Sequence, residues 1–129
     1  MSFRGYRGLT VWNRSVDLVE MTYGLTDELK GEAPAEILAE MRRCVLAIPS
    51  HLAAGYQTPS ADNYLRHVHA VQVILSRFET LVTILERLEW AKGAVLNDLK
   101  SMLIHIAQLL HCLERYLSSK RCEPAVKSA

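Results

Sequence analysis

Apolar positions along the chain recur at steps of three and four, and no stretch alternates with period two. The clearest run is Leu96, Leu99, Leu103, Ile106, Leu110, Leu113 and Leu117, widened by Met102, Leu109 and Tyr116. Asn97, Asp98, Lys100, Ser101, Gln108 and Arg115 fall mostly off that stripe, as on an amphipathic helix. Upstream, Tyr64, Val68, Val71, Ile74, Leu75, Phe78, Leu81, Val82, Leu85 and Leu88 spread over an arc of roughly 160° on a helical wheel, against about 100° for one buried face. So wide an arc predicts more than one partner helix, and contacts that reach beyond one chain. Ile37, Met41, Cys44, Val45, Ile48, Leu52 and Tyr56 form a third stripe. Trp12, Val16, Val19 and Tyr23 form a fourth, beside a second line of Val11, Leu18, Leu25 and Leu29.

The breakers between these stripes are Gly31 and Pro34, Gly55 and Pro59, and Gly93. Together they predict helices over about 9–29, 34–56, 60–90 and 95–118, with a cap candidate near Asn97. Pro49 sits in mid-pattern, removes one backbone donor and clashes with the carbonyl four residues back, so a kink or break is expected there. The polar tail after Ser118 is expected to be flexible. Four amphipathic helices with short links predict an all-α fold, an antiparallel up-down-up-down four-helix bundle, as a single domain over 1–129.

Composition sharpens this picture. The chain has 129 residues and is 50% hydrophobic, enough for one filled core. Fifteen Lys and Arg against fourteen Asp and Glu give a net charge of +1, so net charge is no argument for nucleic-acid or membrane binding. No uninterrupted apolar run approaches the roughly 20 residues of a bilayer span, and the start lacks the apolar core of a signal peptide. Cys44, Cys112 and Cys122 show no CxxC spacing and read as reduced thiols in a cytoplasmic protein.

Candidate chemistry is sparse. His67 and His69 are two residues apart, diverge by roughly 200° on a helix and cannot share a metal. His105 and His111 also miss the i, i+4 spacing, and no HExxH or Cys/His zinc pattern occurs, so neither metal nor cofactor is expected. There is no GxSxG and no Gly-rich phosphate loop; the chain reads as a non-enzyme with no catalytic residue to assign. His67 lies inside the apolar arc and reads as a partly buried histidine satisfied by a neighbour near a bundle end. Basic residues gather at Arg4, Arg7 and Arg14, at Arg42-Arg43, and at Lys120, Arg121 and Lys127. With Phe3 and Tyr6 interleaved, such a leader suits phosphate contacts and base stacking, or is a solvated terminus. A ligand site using His51, His67 or Arg77 is a further alternative.

Leu9-Thr10-Val11-Trp12 resembles the opening of the bacterial four-helix bundle proteins known as 23S rRNA intervening-sequence proteins. The stretch from Met41 to Gly55 resembles their signature, with Arg43, Ile48-Pro49, Ala53 and Gly55 as its matching centre. Tyr64-Leu65-Arg66 and Phe78-Glu79-Thr80 resemble short motifs of their third helix, so the likeness covers about 9–90. The departures are Ala47, His51 and Ala54 in place of Ser, Asn and Glu, Glu40 in place of Gln, and Val73-Ile74 and Arg77 in place of Gly-Ser and Glu. They replace or charge-alter much of the family's polar network. Arg43 and Glu79 are kept, and an ion pair between them is expected.

The resemblance implies an antiparallel bundle without enzymatic activity. It also implies self-assembly: family members and the related accessory variability determinant proteins form pentameric rings, and the latter bind a reverse transcriptase and nucleic acid. Two readings result. One is a non-enzymatic homo-oligomeric ring, a pentamer favoured. The other is a nucleic-acid-binding accessory factor acting with a partner enzyme such as a reverse transcriptase, its contacts at Arg4, Arg7, Arg14, Lys120 and Arg121. Neither involves a membrane.

Overall fold

Between the glycine and proline breakers the helical period and the Leu, Ala, Glu and Arg content produce four long helices. The computed structural model describes residues 5–121. A short 3-10 turn, Gly5–Gly8, leads into α1 (Thr10–Glu28), followed by α2 (Ala35–Gln57), α3 (Ala61–Arg87) and α4 (Ala94–Arg121). The Asn13 side chain ties the turn to α1 by donating to the carbonyls of Arg7 and Leu9. Ser60 caps α3, its hydroxyl accepting from the Asn63 N–H at 3.2 Å. Gly31 and Gly93 take left-handed backbone, φ +83° and +92°, which lets the two longer links turn sharply.

Three details differ from the sequence reading. The last helix opens at Ala94, ahead of the cap candidate Asn97, and runs on past Ser118 to Arg121. Of the kink or break expected at Pro49, the break does not occur: α2 is continuous through the proline. The proline removes the donor that the Val45 carbonyl would receive, but Val45, Ile48 and Leu52 are all fully buried on the same core. That shared burial outweighs one lost hydrogen bond.

The end of α3 carries a residue of the wrong type for its backbone. The Trp90 N–H reaches the Leu85 carbonyl at 2.9 Å and the Glu89 N–H reaches the Glu86 carbonyl at 3.0 Å, the two bonds of a Schellman ending. Glu89 occupies its left-handed position at φ 61°, where glycine is favoured. Glu89→Gly is therefore expected to stabilise the fold by about 1 kcal/mol, read as a higher midpoint in urea.

Each helix packs on two neighbours, α1 on α2 and α4, and α3 on α2 and α4, with no diagonal packing among the described residues. Cross-helix pairs run in opposite directions along their helices. Glu40 meets Arg77 while the later His51 meets the earlier His67, and Lys100 meets Glu86 while Glu114 meets Gln72. The order is therefore that of an antiparallel four-helix bundle. Its core holds Leu18, Met41, Val45, Ile48, Leu52, Val68, Phe78, Leu85, Leu99 and Ile106, each fully buried.

α1 adds a polar row to this core: Ser15, Thr22 and Thr26 are completely buried. Ser15 donates to the Trp12 carbonyl and Thr26 to that of Thr22, so both hydroxyls are satisfied within the helix. The Thr22 hydroxyl has no hydrogen-bond partner among the described residues. A buried hydroxyl without a partner costs roughly 1–3 kcal/mol. Thr22→Val keeps the shape and removes the cost, so thermal unfolding is expected to show unchanged or higher stability, where a typical core polar substitution lowers it.

The wide arc of α3 divides. Leu65, Val68, Val71, Leu75, Phe78, Val82 and Leu85 are buried against α2 and α4, Ile74, Leu81 and Ile84 are half-buried, and Val73 is exposed. By length and composition alone α3 could cross a bilayer, the only such helix among the described residues. Its buried positions are the bundle's own core, and Arg66, Arg77, Glu79 and Glu86 stand exposed along it.

Candidate interaction site

The antiparallel order brings the start of α1, the end of α2, the start of α3 and the end of α4 to one end of the bundle. Arg7, Arg14, Lys120 and Arg121 lie on the elements that meet there. Arg4 lies outside the described residues. The Arg7 guanidinium sits 5.3 Å over the Tyr6 ring, which in turn tilts against Trp12 at 5.2 Å. The Lys120 ammonium sits 5.6 Å over Tyr116. Arg14 is held by Asp17 at 2.9 Å, so its charge is answered locally. Tyr56 and Tyr64 meet edge to face at the same end, 6.4 Å between ring centres. Two basic clusters that lie at opposite ends of the sequence thus share one aromatic-rich end.

At the opposite end acidic and basic side chains mix on and beside the two longer links, Asp27, Glu28, Glu32, Glu36 and Glu89 with Lys30, Arg87 and Lys92. The acids outnumber the bases there, an imbalance that the net charge of +1 conceals.

Along the seam between α2 and α3 a second cluster forms around Glu40. Arg43 donates through Nε and Nη2 to Glu40 Oε1 at 3.0 and 2.7 Å, and Arg77 Nη2 donates to Oε2 at 2.6 Å. The hydrogen bonds from Arg43, with the two positive charges, hold the Glu40 carboxyl below its usual range. Cys44 lies one turn further, its thiol pushed up by burial and then by the Glu40 charge, which makes it a poor nucleophile. Cys112 is free and exposed, and Cys122 lies outside the described residues.

The expected Arg43–Glu79 pair is absent from the ion pairs of the described residues; Arg43 is taken by Glu40. Glu79 lies two residues from Arg77, about 200° around the helix, and borders a shallow cleft on the α4 side with Ile104, Ala107 and His111. The partner of Arg43 is a residue that the sequence reading marks only as a departure. Glu40 and Arg77 are both departures from the family pattern, and they pair with each other. His51, a third departure, meets His67, with Nδ1 atoms 3.0 Å apart. The three polar departures have brought their own partners, while Ala47, Ala54, Val73 and Ile74 are apolar.

Other titratable groups act as braces between helices. Arg42 donates to Thr26 and Asp27 at 2.7 Å each and lies 4.2 Å over the Tyr23 ring, joining α2 to α1. Glu114 of α4 accepts from Gln72 and meets His69 at 3.1 Å, joining α4 to α3. Among the described residues no three His, Cys, Asp or Glu side chains group as a metal site needs.

A family model described as 23S rRNA-intervening sequence protein matches residues 7–112. No curated protein matches the chain.

Proposed function

Given that the chain belongs to the 23S rRNA-intervening sequence protein family, we propose that it is a non-enzymatic, cytoplasmic protein that assembles with copies of itself into a ring, a homopentamer. The apolar surface of α3 and α4 supports this reading. Val73 is 62%, Ile104 60% and Tyr116 58% exposed, although the core is filled without them. Single apolar residues on a surface are ordinary, but Val73 lies on the same line of α3 as the half-buried Ile84 and Tyr116 continues the half-buried line of Met102 and Leu109 on α4, while Ile104 adds an apolar group on the other flank of α4. Light scattering at micromolar concentration tests the reading. The expected mass is five times 14.6 kDa, and a mass near 14.6 kDa overturns it.

The basic, aromatic end favours a second reading, an accessory factor that contacts nucleic acid beside a partner enzyme. A ring would multiply each weak patch by its copy number. RNA and DNA shift assays across a salt series test it: binding should weaken steeply with salt, and Arg7→Ala should weaken it further. Absent or salt-insensitive binding rules this reading out and leaves the assembly reading standing.

A further inference from the structure

Among the described residues the His51–His67 pair is the one inter-helix contact in which both partners are weak bases. Each ring is half-buried, His51 on α2 and His67 on α3, beside the point where Gly55 brings the two helices together. The Nδ1 atoms are 3.0 Å apart and the ring centres 5.2 Å apart. The second distance is nearly the first plus one ring radius on each side, so the rings meet nose to nose. Two histidines sharing a metal ion would instead aim both lone pairs at a third point. Here the two nitrogens face each other, and the gap is that of an N–H···N hydrogen bond with one proton between them.

From this geometry we infer that the pair is a single-charge latch on the α2–α3 seam, closed while it carries no charge or one, and forced open by the second. The proton count is explicit. In the neutral pair one ring donates Nδ1–H and leaves its Nε2 free; the other accepts at Nδ1 and carries its proton on Nε2. The first added proton goes to the free Nε2, giving an imidazolium that donates a charge-assisted bond to its neutral partner. The second must go to the accepting Nδ1, where it destroys the acceptor and sets two cations nose to nose. Burial and the neighbouring ring both disfavour a charged His51, in keeping with that order. The neighbouring titratable groups are the phenols Tyr56 and Tyr64, with Asp62 and Arg66 on the adjoining turn of α3. Burial first, and then any charge on the His67 ring, disfavours a charge on His51.

The sign for stability follows from proton uptake. The unfolded chain protonates both histidines near the ordinary value of 6.5, whereas the folded pair resists the second proton. Stability is therefore full above that pH and falls as the medium is acidified through it. The latch lies at the basic, aromatic end, so acid loosens that end first.

Nitrogen-resolved NMR of the imidazoles in the full chain, followed from pH 8 to pH 4.5, tests the inference without any substitution. The expected result is one ring with its neutral proton on Nδ1 and a titration in two separated steps, the later one below 6.5. Two rings titrating together in one step near that value overturn it. Urea unfolding at pH 7.5 and pH 5 supplies the second measurement, with His51→Asn and His67→Asn, whose amides keep a hydrogen-bonding group without its titration. The unfolding constant of the unaltered chain should rise at least about threefold more than that of either variant over this range. Carboxylates such as Glu40, Asp27 and Glu114 are common to all three proteins, so their contribution cancels. Parallel pH dependence overturns the latch, and if a variant does not fold, the NMR titration decides alone.

Discussion

Replacing Phe78 by alanine is expected to remove about 3–5 kcal/mol of stability. Phe78 has the largest side chain among those completely buried, set on α3 between the faces toward α2 and α4. Its ring is lost from a core whose neighbours are themselves fixed by packing, so the cavity closes only in part. Against a typical total of roughly 5–15 kcal/mol for a domain, that is a large share. Chemical denaturation at neutral pH should show the midpoint fall with little change in slope, and the melting temperature should drop by more than about 10 °C. Val73→Ala, five residues away on the same helix, supplies the contrast. Val73 is 62% exposed, so its loss should change the stability of the chain by less than about 0.5 kcal/mol. If copies of the chain pack on this face, the same substitution should weaken assembly instead.

Gly55→Ala is expected to destabilise the fold by about 1–3 kcal/mol, the reverse of the gain of roughly 1 kcal/mol that alanine normally brings to a helix interior. The reason is space, not backbone conformation. A Cβ at position 55 would stand 2.7 Å from Tyr64 Cδ1, 3.0 Å from the His67 Cβ and 3.1 Å from Tyr64 Cε1. The His67 Cβ cannot swing aside, since it is fixed to the α3 backbone. The Tyr64 ring is half-buried and already packs edge to face on Tyr56, 6.4 Å between ring centres, so it moves only by disturbing that contact. The two helices must therefore part by some tenths of an ångström at this end. Thermal unfolding of Gly55→Ala checks the loss. Adding Tyr64→Leu should recover part of it, because a leucine clears the ring position without touching α2. A Gly55→Ala protein as stable as the unaltered one would mean that α2 and α3 are not so close here.

Much of the bundle was legible in the sequence because both signals that define it are local. The three-and-four spacing of Leu96 to Leu117 and the breakers at Gly31, Pro34, Gly55, Pro59 and Gly93 need no knowledge of neighbours. At Pro49 the local rule allows a break as well as a kink, and the buried positions on both sides of the proline keep the helix continuous. The polar contacts were not legible for a different reason. Glu40, Arg77, His51 and His67 are all visible as unusual residues, and which one meets which depends on the register between α2 and α3. A shift of one turn along that seam would set Arg77 opposite a different residue of α2. The expected Arg43–Glu79 pair joined two charges that match the family pattern without that register, and Glu79 borders α4 instead. The choice of opposite charges at Glu40 and Arg77 was the one sequence signal that could have paired them.

The difference in charge between the two ends has a consequence for any assembly this chain forms. Antiparallel helices cancel their backbone dipoles in pairs, so the side chains alone give the bundle a modest electrical direction, from the end where Asp27, Glu28, Glu32, Glu36 and Glu89 outnumber Lys30, Arg87 and Lys92 to the Arg7 and Lys120 end. Cyclic symmetry cannot reverse a direction that runs along its axis. A ring whose chains stand upright would carry five arrows pointing the same way, and its two rims would be chemically unlike. Such a disc has a heads and a tails: it would settle on a polyanion by one rim only, and at low salt two discs would attract rim to opposite rim.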